Sequence, residues 1–177
     1  MLHLPAKWEN HGITFRMTAQ TCEKTVWKAL CIAGSILKAE FVRDVLIDDF
    51  NSAGIKPFVN YPIAHHATDA SVTQFNRPTG SHLEAKGWFS NKHKLYCGKV
   101  ETSVYPNGEA CNWTKSYPGA VPDITIMRDN IKFLRKSTRK SPSCLAIVDH
   151  GENASEHPRS HAIILDKGYV GIGDLVR

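Results

Sequence analysis

A chain of 177 residues with 42% hydrophobic content can enclose the core of one ordinary domain, with a small helical extension. Its 22 Lys and Arg against 17 Asp and Glu give a formal charge of +5, which is compatible with a polyanionic partner but does not require one. Five scattered cysteines without a C-x-x-C argue against a disulfide framework, and no apolar run is long enough for a membrane span or a secretion signal; the expectation is a soluble protein of the nucleus or cytoplasm.

Over residues 18–50, Cys22, Val26, Leu30, Ala33, Leu37, Phe41 and Val45 recur at spacings of three and four, predicting one amphipathic helix or a pair bent near Gly34. Gly54 and Pro57 close that stretch, so a helical N-terminal region is expected over 1–57 and a second region over 58–177. His65 and His66 read as loop residues, and the strand expected over 67–75, ATDASVTQF, puts Asp69, Ser71 and Thr73 on one face. A polar loop over 76–92 precedes a longer strand, 95–105, with Tyr96, Val100, Thr102 and Val104 on one side. Pro106, Asn107 and Gly108 form a tight turn, and 109–115 returns antiparallel.

Pro122 and Asp123 suit a helix start, since proline's missing N–H is harmless there and a carboxylate favours the positive end of the helix dipole. Ile124, Met127, Ile131 and Leu134 mark its buried stripe, while Arg128, Lys132, Arg135, Lys136, Arg139 and Lys140 line the outer face. Residues 137–160 read as a long exposed loop interrupted by a short apolar run, 144–148. A final strand, 162–165, ends on Asp166, followed by Lys167, Gly168 and Tyr169. The expected order is strand, strand, strand, helix, strand behind a helical region, an α/β fold.

Two aspartates at strand positions are costly to bring together, because like charges in low dielectric repel. A divalent cation between them reverses that energy, and carboxylate-held pairs of ions are the usual apparatus for displacement at phosphorus. Asp69 and Asp166 would suit Mg²⁺ or Mn²⁺, which prefer oxygen ligands. Strand-end aspartates also cap turns or pair with lysines, so this pattern alone leaves both readings open.

The residues 67–127, from ATDASVTQFNRPTG through FSNKHKLY to YPGAVPDITIM, followed by AIILDKGYVG, resemble the DDE superfamily endonuclease domain of Harbinger-type, transposase-derived proteins. The D-K-G-Y element is similar to that of IS-type bacterial transposases, and the likeness runs in order over roughly 58–171. The resemblance implies a partial RNase H-like mixed sheet, DNA as partner, and Mg²⁺ or Mn²⁺ held by catalytic Asp69 and Asp166. Asp123 matches an element at the head of a helix and is expected to cap or support, with Lys167 and Tyr169 as further supporting residues. Ala120 and Pro122 depart from the Ser and the Ser or His expected there. The family's third acid lies on a helix well beyond D-K-G-Y, whereas Asp174 is the one acid after Asp166 here. The expectation is therefore a C-terminally truncated domain of weak or no activity, and the alternative is a non-catalytic nucleic-acid- or protein-binding remnant.

Other signals are weaker. Lys92, His93 and Lys94, and on the helix Lys132, Arg135 and Lys136, are candidate DNA contacts, or solvated charges of no special role. Cys144, His157 and His161 have the spacing of half a zinc finger, but no C-x-x-C precedes them. Gly168, Gly171 and Gly173 do not form a dinucleotide loop. The strand 162–165 is expected to leave an apolar edge prone to association.

Overall fold

The computed structural model describes residues 7–177, which divide into two compact units, one ending at Val42 and one running from Arg43 to Arg177. The first is a helical hairpin of α1 (Trp8–Phe15) and α2 (Ala19–Phe41). Arg16 takes left-handed backbone, φ +53°, so that its N–H closes on the Gly12 and Ile13 carbonyls, and Thr18 caps α2 by accepting the Thr21 N–H. α2 runs unbroken through Gly34 and stops at Phe41, where Val42 turns extended; the helical reading to residue 50 was too long. A 3-10 turn at Ile47–Asp49 lies in the second unit. Among the described residues no helix is long and apolar enough to cross a membrane.

The second unit is built on a six-stranded mixed sheet. Its strands are β1 (Ala64–Gln74), β2 (Phe89–Ser90), β3 (Leu95–Val104), β4 (Ala110–Trp113), β5 (Tyr117–Pro118) and β6 (Ala162–Leu165). β3 runs antiparallel to β1 and carries the three short strands, while β6 runs parallel to β1 on its other side. A parallel neighbour needs a crossover. Here α4 (Asp123–Asp129), α5 (Ile131–Ser137) and α6 (Pro142–Leu145) lie between β5 and β6 in the chain. The α/β order is the one implied by the sequence and is compatible with a partial RNase H-like fold. Gly108 supports the β3–β4 turn at φ +86°, a backbone region that residues with a Cβ avoid.

One core gathers Met127 and Leu134 from α4 and α5, Ile163 from β6, and Tyr169 and Ile172 beyond it. A second joins Phe50, Ile55, Tyr105 and Cys111. β6 is the last strand in the sheet order, and its Ile163 N–H donates to the Arg177 carbonyl at 2.8 Å.

Several local expectations are corrected. β1 begins three residues early and takes in His65 and His66, both fully buried rather than in a loop, because His65 stacks between Phe50 and Tyr105 and bonds His66 through the two Nδ1 atoms at 2.8 Å. The polar stretch after β1 holds a helix, α3 (His82–Lys86), started by a capping box of Ser81 and Glu84. The single predicted helix is two, separated at Asn130, whose side chain serves the sheet rather than the helix. β3 buries Lys99, Glu101 and Ser103, the face opposite to its apolar one. Lys140, expected on an outer face, is buried and meets Asp149 at 2.6 Å.

Candidate active site

The parallel register of β1 and β6 pairs Ala67 with Ile164 and Thr68 with Leu165, so Asp69 and Asp166 are the next residues on two adjacent strands. Thr68 is buried and Asp69 exposed, as alternation along a strand requires. Asp166 is exposed too and sits where β6 gives way to a 3-10 turn, Lys167–Tyr169. Each carboxylate accepts the N–H of the following residue, Ala70 at 2.8 Å and Lys167 at 2.7 Å. Among the described residues no Lys, Arg or His approaches either within 4 Å. Lys167 therefore supports Asp166 through its backbone.

Asp123 opens α4 without capping it: no side-chain bond to the helix's first N–H groups is formed. It is held instead by Lys99 Nζ at 2.8 Å, which also donates to the Val121 carbonyl, and by Lys92 at 3.7 Å. The turn that delivers it depends on Gly119, where a Cβ would stand 2.6 Å from both Cys97 Sγ and the Trp88 carbonyl oxygen. A cavity of about 370 Å³ lies between Asp123, Lys92, Lys99 and Gly168, joining the head of α4 to the turn after Asp166.

Glu101, fully buried on β3, went unnoticed in the sequence. Its register partner is Ala70, one residue past Asp69. Asn130 donates to its Oε1 at 3.0 Å, while Oε2 has no partner of regular geometry. Burial raises its carboxyl to about 6 against the easing of the Asn130 bond; the charge of Asp123 adds to the rise, the Tyr169 hydroxyl opposes it, and the charge of Asp69 adds a little more. Tyr169, buried in the core, points its hydroxyl into the same neighbourhood. Burial pushes that phenol well above its ordinary range, and Glu101, Asp123, Asp69 and Asp166 all reinforce the shift. Four acids thus share the field around one tyrosine.

The structure separates the other candidates. Lys92, with exposed His93 and Lys94, sits beside the Asp123 cavity. On α5, Lys132 is exposed, Arg135 donates to the Leu175 carbonyl, and Lys136 pairs with Asp44 at 2.7 Å, none of them meeting the acids. His157 bonds the Gly173 carbonyl through Nε2 and lies outside the group that Cys144 and His161 form with Asp48. Among the described residues Asp69 and Asp166 belong to no group of three ligating side chains whose atoms all lie within 4.8 Å of one another.

No curated protein and no solved structure matches the sequence. Residues 68–177, well over half of the chain, match the family described as DDE superfamily endonuclease. Enzymes of that superfamily generally use divalent metals. The match spans β1 from just before Asp69, α4 with Asp123 and the break at Asn130 that follows it, and β6 with Asp166 after it, and the chain belongs to the DDE superfamily endonucleases.

Proposed function

We propose that this chain is a Harbinger-type, transposase-derived nuclease domain that cuts or joins DNA phosphodiesters, with Asp69 and Asp166 as its catalytic, metal-holding pair. The observation that carries the reading is the parallel β1–β6 register, in which the two residues follow the paired Thr68 and Leu165 at exposed positions, with no cationic partner among the described residues. Both donor groups are carboxylates, the ligand type that hard Mg²⁺ and Mn²⁺ prefer, so the residues present fit such an ion. When bound, a divalent cation there would polarise the phosphodiester and offset the charge of the two acids.

The remaining residues define the surroundings. Lys99 and Lys92 hold Asp123 at the edge of the cavity, so that this third acid is neutralised rather than free to ligate. Lys92, His93 and Lys94 supply donors for a phosphate backbone approaching that side, and the overall charge of +5 favours such an approach at low salt. DNA as substrate and five unpaired cysteines together suit the nucleus or cytoplasm.

Nicking of supercoiled plasmid by the full chain with Mn²⁺ or Mg²⁺ tests the assignment. Asp69→Asn and Asp166→Asn are each expected to lower the rate about 100-fold or more; undiminished cleavage by either variant overturns it. One observation favours a second reading, a binding remnant without chemistry: among the described residues the pair belongs to no close group of three ligating side chains. Salt-sensitive DNA binding by wild-type protein that never nicks, with any divalent metal, would select that alternative.

A further inference from the structure

A different group of side chains, remote in sequence from β1, converges near the start of β6. One carboxylate oxygen of Asp48, Cys144 Sγ and one ring nitrogen of His161 all lie within 4.8 Å of one another. Asp48 comes from the 3-10 turn before β1, Cys144 from α6, and His161 immediately precedes β6. The Cys144 thiol donates to Asp48 Oδ1 at 2.6 Å, and the hydroxyls of Ser141 and Ser143 both donate to Oδ2.

His161 supplies the independent observation. Its residue is 7% exposed, and its Nε2 has no hydrogen-bond partner. A buried imidazole nitrogen left bare costs desolvation with nothing in return, so it points to a missing partner.

We infer that Asp48, Cys144 and His161 form a second metal site, one for Zn²⁺, separate from the Asp69–Asp166 pair. The donor set decides the metal: thiolate and imidazole with one carboxylate suit a borderline-soft ion, whereas Mg²⁺ and Mn²⁺ select all-oxygen sites. Zinc bonds these atoms at about 2.0–2.3 Å, a span that three donors this close reach with small side-chain rotations. Ser141 and Ser143 then serve as outer partners that orient Asp48. With Cys144 as thiolate and Asp48 ionised, the two negative ligands balance the ion's charge. On the same cavity the buried Lys140 is committed to Asp149 at 2.6 Å and Lys136 to Asp44 at 2.7 Å, while the exposed Arg139 and Arg159 also line it without forming an ion pair with Asp48. Exposure of Asp48 leaves the fourth position to water. Such an ion fastens the stretch after α5 to the segment before β1 and fixes the chain where it turns into β6, without touching the acids at the other end of that strand.

The full chain, stripped with EDTA and given one equivalent of Zn²⁺ before desalting, is expected to retain one zinc. Cys144→Ala and His161→Ala should each lose it, while Asp69→Asn keeps it. Cobalt in place of zinc should give a sulfur-to-cobalt charge-transfer band absent from Cys144→Ala. A readout on wild-type protein covers the case of a variant that fails to fold. Added zinc should slow alkylation of Cys144 at least about tenfold while leaving that of exposed Cys31 unchanged, followed by peptide mass spectrometry. No retained zinc, equal retention by both variants, or alkylation of Cys144 at the same rate with and without zinc would each overturn the inference.

Discussion

Asp149 and the Asp69–Asp166 pair are carboxylates of the same unit treated in opposite ways. Asp149 is received by Lys140 at 2.6 Å and by both terminal nitrogens of Arg177, all three side chains largely buried, and the Arg177 guanidinium beside it holds its carboxyl far below the usual range. Asp69 and Asp166 follow paired residues on neighbouring strands, both exposed and with no cation within 4 Å among the described residues. A charge that serves the fold is closed off with counter-charges already in place. On the proposed reading of Asp69 and Asp166, a charge kept for a ligand is left uncompensated, and the fold tolerates the repulsion until the ligand arrives.

Unfolding experiments on metal-free protein at pH 7 probe that contrast most strongly. Asp149→Ala takes the shared carboxylate from two buried cations, leaving Arg177 only its bonds to the Glu152 and Ser160 carbonyls, and should lower stability by about 3–5 kcal/mol. Asp69→Asn and Asp166→Asn should each stay within about 0.5 kcal/mol of wild type, because exposed carboxylates without ion pairs give up little. Guanidinium titrations measure both. A loss at Asp69 or Asp166 comparable to that at Asp149 would mean that the open pair is structural after all.

The same distinction explains what the sequence revealed. The strand-tip position of Asp166 was legible because four apolar residues, AIIL, end abruptly on a charge, and the strand position of Asp69 because ATDASVTQF reads as β-structure; their pairing as a site came from the resemblance. Glu101 was hidden by its own alternation: in LYCGKVETSV the charged residues Lys99 and Glu101 share a face, which reads as solvent-facing, while Val100, Thr102 and Val104 read as core. The structure inverts this, because α4 and the helix break cover the polar face and bring Asp123 to Lys99 and Asn130 to Glu101. Each of those partners lies more than twenty residues away in the chain, beyond any local periodicity. His161 was set aside for want of a C-x-x-C, since its neighbour Asp48 stands more than a hundred residues earlier.

Buried histidines give a pH-dependent version of the contrast. His65 Nε2 lies 2.8 Å from the Val45 carbonyl and so carries the proton there, which makes its Nδ1 the acceptor of His66 Nδ1–H and leaves His66 Nε2 bare. Burial, and then the neighbouring His65, push His66 down to about 3. The unfolded chain takes the proton first, so the stability present above pH 6.5 is lost as pH falls from there toward 3, at up to about 1.4 kcal/mol per pH unit. His161, lowered to about 4, steepens the same limb. His66→Asn keeps a donor toward His65 but cannot titrate, and should make the acid limb measured by urea unfolding between pH 7 and pH 4 shallower. An unchanged limb would shift the acid sensitivity to other groups.

Glu101 falls between the two classes, buried like Asp149 but without an ion pair among the described residues, opposite Ala70 and so one residue from Asp69 in the β1–β3 register. Its folded carboxyl, raised to about 6, takes a proton before that of the unfolded chain, so its contribution to stability falls as pH rises from about 4.5 to 6. The shift corresponds to about 2 kcal/mol above that window. Glu101→Gln should therefore stabilise the protein by about that amount at pH 8 and by almost nothing at pH 4, compared by chemical denaturation at both values. The new amide oxygen still accepts from Asn130, and its NH₂ can donate to the Tyr169 hydroxyl, which in the wild type faces the carboxylate without a bond of regular geometry. A loss of stability at pH 8 would show that the carboxylate is held in its charged form by something positive, and a cation bound at the acid tip is the candidate that repeating the titration in EDTA would remove.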